Sequence, residues 1–315
     1  MESFGIRITY DSPQLTYLIP LSLGISSISL LHVLDHHIEG QLQKSGRAAY
    51  GLHVLYVDMP GVYDFEDSRA KFESIKERYP KNTFSTVQLL DALDELEDEL
   101  FLDSAASSSD SSSSTDEKLD RLLASATSPT ARTDIFSALK SKIIVAHAKR
   151  YSCDAILWGD STTRLAEKTL SETAKGRGFA LPWIAAEGES RSGVRTQYPV
   201  RDLLKKELVM FAEHTESPLT PLIAKEISKP AVSAKNTTID ELTSQYFESV
   251  ERDYPSIVAN VVRTTAKLDL PTIAGASVCQ LCDVPITESQ PDTTDGTRRL
   301  CSNCARALGK RTQRT

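Results

Sequence analysis

The sequence predicts an α/β chain, a doubly wound and mainly parallel sheet that carries a small cysteine ribbon at its C-terminal end. Three observations predict it. Short apolar runs rich in β-branched and aromatic residues alternate with segments of helical period, the order that builds parallel sheets through crossover helices. The first run, Tyr17-Leu18-Ile19-Pro20-Leu21, passes through the small-residue loop Ser22-Leu23-Gly24-Ile25-Ser26-Ser27 into helical spacing, with Ile28, Leu31 and Leu34 on one face. Two CxxC pairs, Cys279 with Cys282 and Cys301 with Cys304, lie near the end of the chain.

Taken in order, Gly5 to Tyr10 alternates apolar and polar side chains and predicts a short strand. After the first helix, Ala48 to Asp58 is nearly continuous apolar, as expected of a strand buried on both faces. Ala70 to Tyr79 has helical period, and Thr83 to Val87 predicts a third strand. Gln88 to Leu102 predicts a helix with Leu89, Leu93, Leu96 and Leu100 on one stripe. Residues 103–117, DSAASSSDSSSSTDE, offer too little apolar surface to offset the entropy of ordering, so a disordered insertion is expected there. The pattern then resumes with a helix over Thr133 to Tyr151, opened by Thr133 and Asp134, and the strand Ala155 to Trp158. That strand ends in Gly159-Asp160-Ser161, before a helix over Leu165 to Ala174. A short element leads to Tyr198-Pro199-Val200-Arg201 and a helix over Leu203 to His214. Two further helices are predicted over Ile239 to Asp253, capped by Thr238 and Asp240, and over Pro255 to Leu268.

At 315 residues with 40% hydrophobic side chains, the chain is long enough for one sizeable core and an appendage. We divide it at residues 1–270 and 271–315. No apolar stretch reaches the roughly 20 residues of a membrane span, and no signal-peptide layout opens the chain, so a cytosolic protein is expected. The net charge of −7 argues against a chain that coats nucleic acid over its whole surface. The C-terminal end is locally basic: Arg298, Arg299, Arg306, Lys310 and Arg311 are candidate RNA-phosphate contacts, with a solubilising tail as the plainer reading. Cys153 stands alone in an apolar stretch and reads as a buried small hydrophobe. His32, His36 and His37 share one helix without acidic or cysteine partners at ligand spacing, which predicts packing or surface roles.

A strand that turns through a Ser/Gly loop into a helix N-terminus offers unpaired N–H groups to an anion. Ser22, Gly24, Ser26 and Ser27 are the candidate contacts in the first such loop, and Gly159 and Asp160 in the second. In Ser22 to Ser27 the chain resembles the SGGxDS loop of the PP-loop ATP pyrophosphatases, with Leu23 at the second glycine position and Ser26 at the aspartate. The stretch Gly159 to Glu167 is similar to the GHNxDDxAE segment of tRNA-thiolating members, keeping Gly159, Ala166 and Glu167 but none of the aspartates. Tyr198-Pro199-Val200-Arg201, Lys206-Glu207 and Phe211-Ala212 resemble a third segment of those enzymes. Within that family the chain resembles the divergent second subunit of the cytoplasmic tRNA 2-thiolation complex. The resemblance implies a Rossmann-like fold of the adenine nucleotide alpha hydrolase type. It further implies a non-catalytic role in thiolating the wobble uridine of lysine, glutamate and glutamine tRNAs. The implied partners are a catalytic PP-loop paralogue, tRNA and a ubiquitin-like sulfur carrier. With the aspartates lost, no catalytic residue is assigned, and ATP is not expected to be turned over by the chain alone. An autonomous adenylating enzyme and a scaffold unrelated to tRNA are the competing readings.

The cysteine pairs are 18 residues apart, inside the window of a four-cysteine zinc site. Cys279, Cys282, Cys301 and Cys304 would complete a tetrahedron with no open position, so structural zinc is expected, with an iron–sulfur cluster as the alternative.

Overall fold

The computed structural model describes residues 14–59, 67–89, 115–190, 193–224, 237–268, 277–286 and 300–309. The predicted strand at Gly5 to Tyr10, nearly all of the Gln88 to Leu102 helix and most of the Ser-rich tract lie outside the described residues.

The sheet has six strands: β1 (Leu15–Pro20), β2 (Tyr50–Asp58), β3 (Thr83–Gln88), β4 (Ala155–Leu157), β5 (Gly188–Glu189) and β6 (Arg195–Gln197). Their spatial order is β3-β2-β1-β4-β6-β5, parallel throughout except for the β5–β6 pair. The order reverses at β1, whose neighbours are β2 on one side and β4 on the other. Open α/β sheets form their crevice at such a switch point, at the carboxyl ends of the strands.

Side-chain alternation sends successive residues to opposite faces. Ile19, Val54, Tyr56 and Leu157 pack with Ile28 and Leu31 of α1 (Ile25–Ser45) and Phe72 and Ile75 of α2 (Ser68–Arg78). Leu18, Leu55, Val57 and Ile156 face the other way, toward α3 (Thr115–Ala124) and α4 (Pro129–Arg150). Cys153 is buried in that second cluster, and burial pushes its thiol up to about 11, as fits an inert apolar group. Beyond β4 the chain continues through α5 (Thr162–Ala174), α6 (Leu181–Ala185) and α7 (Lys205–His214). The hairpin α8 (Ile239–Asp253) and α9 (Pro255–Thr265) buries Phe247, Val258 and Val262 against Leu165 and Ala166 of α5. The last helix, α10 (Ser302–Ala307), belongs to the second cysteine pair.

Helix boundaries follow their caps. α1 ends at Gly46, whose φ of 68° and N–H bond to Leu42 O form a left-handed stop. α4 starts four residues before the expected Thr133, because Ser128 accepts the Ala131 N–H at 3.1 Å and Pro129 occupies the first turn. α3 begins at Thr115, inside the tract expected to be disordered. Thr238 caps α8 as expected, but its reciprocal partner is Glu241 and not Asp240, which binds Lys175 Nζ at 2.7 Å.

Two close contacts give measurable consequences. A Cβ on Gly159 would stand 2.7 Å from Ser27 Cα, so Gly159→Ala must push backbone from backbone. The expected cost is about 2 kcal/mol, read as a lower urea midpoint; an unchanged midpoint would refute the contact. His53 on β2 and His147 on α4 are both buried, with their Nε2 atoms 3.2 Å apart and Ser85 Oγ 2.8 Å from His53 Nε2. One ring must offer a lone pair, and burial holds His53 below its ordinary 6.5. The unfolded chain therefore binds a proton that the fold excludes. The contribution of this pair to stability is complete above about pH 6.5 and is lost as pH falls through the lowered value. His53→Gln should show a shallower decline in thermal midpoint; an identical slope would assign the acid sensitivity to other groups.

Candidate functional site

The first junction keeps its loop geometry by an unusual route. Leu23 adopts φ 59°, a left-handed conformation that disfavours side chains by about 1–2 kcal/mol. Its side chain is fully buried beside Leu21 and Ile28, and its carbonyl accepts the Ala224 N–H at 3.0 Å. Leu23 stands where the resembled loop has its second glycine, and the tertiary contacts draw its side chain into the core. The hydroxyls serve the loop itself: Ser22 Oγ and Ser27 Oγ are 3.0 Å apart, Ser27 Oγ donates to Gly24 O at 3.0 Å, and Gly24 N–H donates to Ser22 Oγ at 3.4 Å. Ser26 is half-buried on the first turn of α1, which begins without a side-chain cap.

The second junction lies against the first, since Gly159 abuts Ser27. Its polar side chains are taken up by structure. Ser161 caps α5, accepting the Arg164 N–H at 3.3 Å, and Thr162 Oγ1 donates to Arg201 O at 2.6 Å. Thr163 Oγ1 donates to the buried Glu251 at 2.7 Å and accepts the Lys205 N–H at 2.9 Å. Asp160 is ion-paired with Lys168 at 2.5 Å. Sequence reasoning passed over the cations here: Arg164 pairs with Glu167 at 2.8 Å, and Lys140 of α4 lies within electrostatic reach of Arg164, Lys168 and Asp160. The spacing of Arg164 and Lys168, one helical turn apart, was the available signal. The α1 histidines divide between packing and surface: His32 Nδ1 is 3.1 Å from Tyr79 OH and His37 Nδ1 is 2.8 Å from Tyr50 OH, while His36 and His37 are exposed.

The ribbon brings its four sulfurs together. The Sγ atoms of Cys279, Cys282, Cys301 and Cys304 lie within 4.8 Å of one another, with Cys282 and Cys301 3.8 Å apart. Among the described residues they are the metal-binding cluster found. Contact with the Cys282 thiol, reinforced by Cys301 and Cys304, holds Cys279 below the ordinary thiol value, whereas contact with Cys279 raises Cys282 and Cys304 well above it. Asp283 turns the first knuckle with φ 56° and pairs with the buried Lys142 of α4 at 2.8 Å. The second knuckle is held by Thr127 N–H on Ala307 O and by Asn303 Nδ2 on Gly176 O. Cys279, Cys301 and Cys304 share one apolar cluster with Ile135, Leu139 and Ile143 of α4. Of the RNA-contact candidates, Arg306 is exposed on α10; Arg298, Arg299, Lys310 and Arg311 lie outside the described residues. No helix among the described residues is long and apolar enough to cross a membrane.

The fold is similar to that of a U34-tRNA thiolase from Methanococcus maripaludis solved with its [4Fe-4S] cluster, at a TM-score of 0.55 and 15% identity, covering 86% of this chain and 77% of that one. A family model described as Cytoplasmic tRNA 2-thiolation protein 2 matches residues 238–314, which include α8, α9 and all four cysteines. Curated proteins of that name match along most of the chain. The one from Pyrenophora tritici-repentis is 40% identical, covering 100% of this chain and 87% of the relative. Another, from Phaeosphaeria nodorum, is 44% identical over 92% of this chain and 76% of its own length. The chain therefore belongs to the cytoplasmic tRNA 2-thiolation protein 2 family.

Proposed function

We propose that the chain acts in the cytosol as the non-catalytic subunit of a tRNA 2-thiolation complex. It pairs with a catalytic PP-loop paralogue and helps hold the tRNA. The complex thiolates the wobble uridine of lysine, glutamate and glutamine tRNAs with sulfur from a ubiquitin-like thiocarboxylated carrier. A role in tRNA 2-thiolation rests on the family. The non-catalytic assignment is carried by one observation: both junctions keep their backbone approach, yet among the described residues neither gathers a group of carboxylates. Magnesium binds phosphates through carboxylates, so the edge lacks what phosphoryl or adenylyl chemistry needs.

The quartet is read as a structural zinc site. Four thiolates about 2.3 Å from one ion stand about 3.8 Å apart, close to the Cys282–Cys301 separation. A four-iron cluster carries its thiolates outward from the corners of a cube, farther apart than these sulfurs. Zinc here would tie the two knuckles to each other and, through Asp283 and Lys142, to α4.

Reconstitution tests the function. Adding the chain to its catalytic paralogue should raise thiolated uridine in the transcript well above the level with the paralogue alone; equal yields would refute the subunit reading. ATP–pyrophosphate exchange by the chain alone should stay at background, and magnesium-dependent exchange would establish an autonomous enzyme. Paired Cys279→Ser and Cys282→Ser substitutions should abolish one bound zinc per chain by atomic emission and lower the thermal midpoint. Unchanged metal content would exclude the quartet, and iron with labile sulfide would identify a cluster.

A further inference from the structure

We propose that Lys142 of α4 is a positioning residue for the metal of the cysteine quartet: acting through Asp283, it sets how tightly the ribbon holds the ion. This role presupposes that the quartet is a metal site, and it gives that site a determinant outside the ribbon. Lys142 is a charged side chain in an apolar setting. It is only 8% exposed, and Leu139 and Ile143 beside it on α4 belong to the cluster that buries Cys279, Cys301 and Cys304. Its ammonium donates to Asp283 Oδ1 at 2.8 Å. A buried ammonium is costly unless a carboxylate answers it, and removing one partner of such a pair strands the other charge. Lys142 is therefore well accommodated while the first knuckle is docked on α4.

Asp283 stands where it can act on the ligands. It directly follows Cys282, its N–H donates to Cys279 O at 2.9 Å, and the Cys279 N–H donates to Val284 O at 2.9 Å. It closes the knuckle at φ 56°, a left-handed conformation that glycine adopts without strain. The turn by itself thus has no need of a carboxylate, yet this one reaches a helix 141 residues away in sequence. Groups that orient metal ligands from outside typically change metal affinity by about ten- to a hundredfold when they are removed. By linkage the effect is reciprocal. Docking of the knuckle on α4 favours the metal, and the metal, by fixing Cys279 and Cys282, keeps Asp283 against Lys142. Emptying the quartet frees the knuckle and takes the carboxylate from Lys142, so metal loss is felt in α4 as well as in the ribbon.

The test titrates the full, reduced, metal-free chain with cobalt(II), whose thiolate charge-transfer absorption reports binding by the four sulfurs. Asp283→Gly keeps the left-handed turn and deletes the carboxylate, and cobalt affinity should fall about tenfold. Adding Lys142→Met removes the stranded ammonium with a side chain of similar length, and the double variant should recover to within about threefold of the parent. Lys149→Met, at an exposed position of the same helix, should match the parent. Bound cobalt should also raise the thermal midpoint of the parent by more than that of Asp283→Gly. Where the metal-free chain does not stay soluble, competition of the zinc-loaded chain against a chromophoric chelator gives the same comparison. Equal affinity in the parent and Asp283→Gly refutes the role of Lys142, as does a double variant no tighter than Asp283→Gly. A parent with no thiolate absorption on cobalt addition refutes the metal-site reading and this role with it, so the two failures are told apart.

Discussion

The contact between Gly159 and Ser27 is the constraint on which the sheet edge depends. Pairing of β4 beside β1 leads both strands into loops on the same edge, and the second loop can reach the first helix only where no Cβ intervenes. That approach seats the second loop against the first turn of α1 just before α5 begins. Leu23 answers the same demand from the other side. It keeps a left-handed backbone without glycine because its buried side chain and the Ala224 hydrogen bond compensate for the strain. The loop shape is thus maintained by core packing, independently of the chemistry such a loop can host.

The cysteine ribbon is joined to this frame through α4. That helix carries His147 toward β2 and Lys142 toward the first knuckle. Its apolar face supplies the cluster in which three of the four cysteines are buried. A metal at the quartet would therefore stabilise more than a short loop, since the knuckles and α4 bury apolar surface against each other. The family model spans this ribbon together with α8 and α9, and both parts pack on the elements that frame the second junction.

Much of the fold was legible in the chain. β2 and β3 declared themselves by continuous or alternating apolar runs, and α8 by its Thr238 cap. The cysteine quartet was legible because CxxC spacing constrains two ligands locally and the second pair repeats the constraint. Less visible were the hairpin of β5 and β6, two and three residues long, and the true start of α4, where the Ser128-Pro129 pair outweighed Thr133 and Asp134. Asp240 was misread as a cap because its role is an ion pair with Lys175, 65 residues away in sequence.

Local pattern, then, determined which segments became strands and helices and which cysteines could meet one ion, because periodicity, capping and ligand spacing act over a few residues. Tertiary structure alone decided that Leu23 turns into the core, that Gly159 abuts Ser27, and that Asp283 of the first knuckle pairs with Lys142 of α4. These outcomes depend on packing and electrostatics between elements far apart in the chain, and such interactions leave no spacing in the sequence from which to read them.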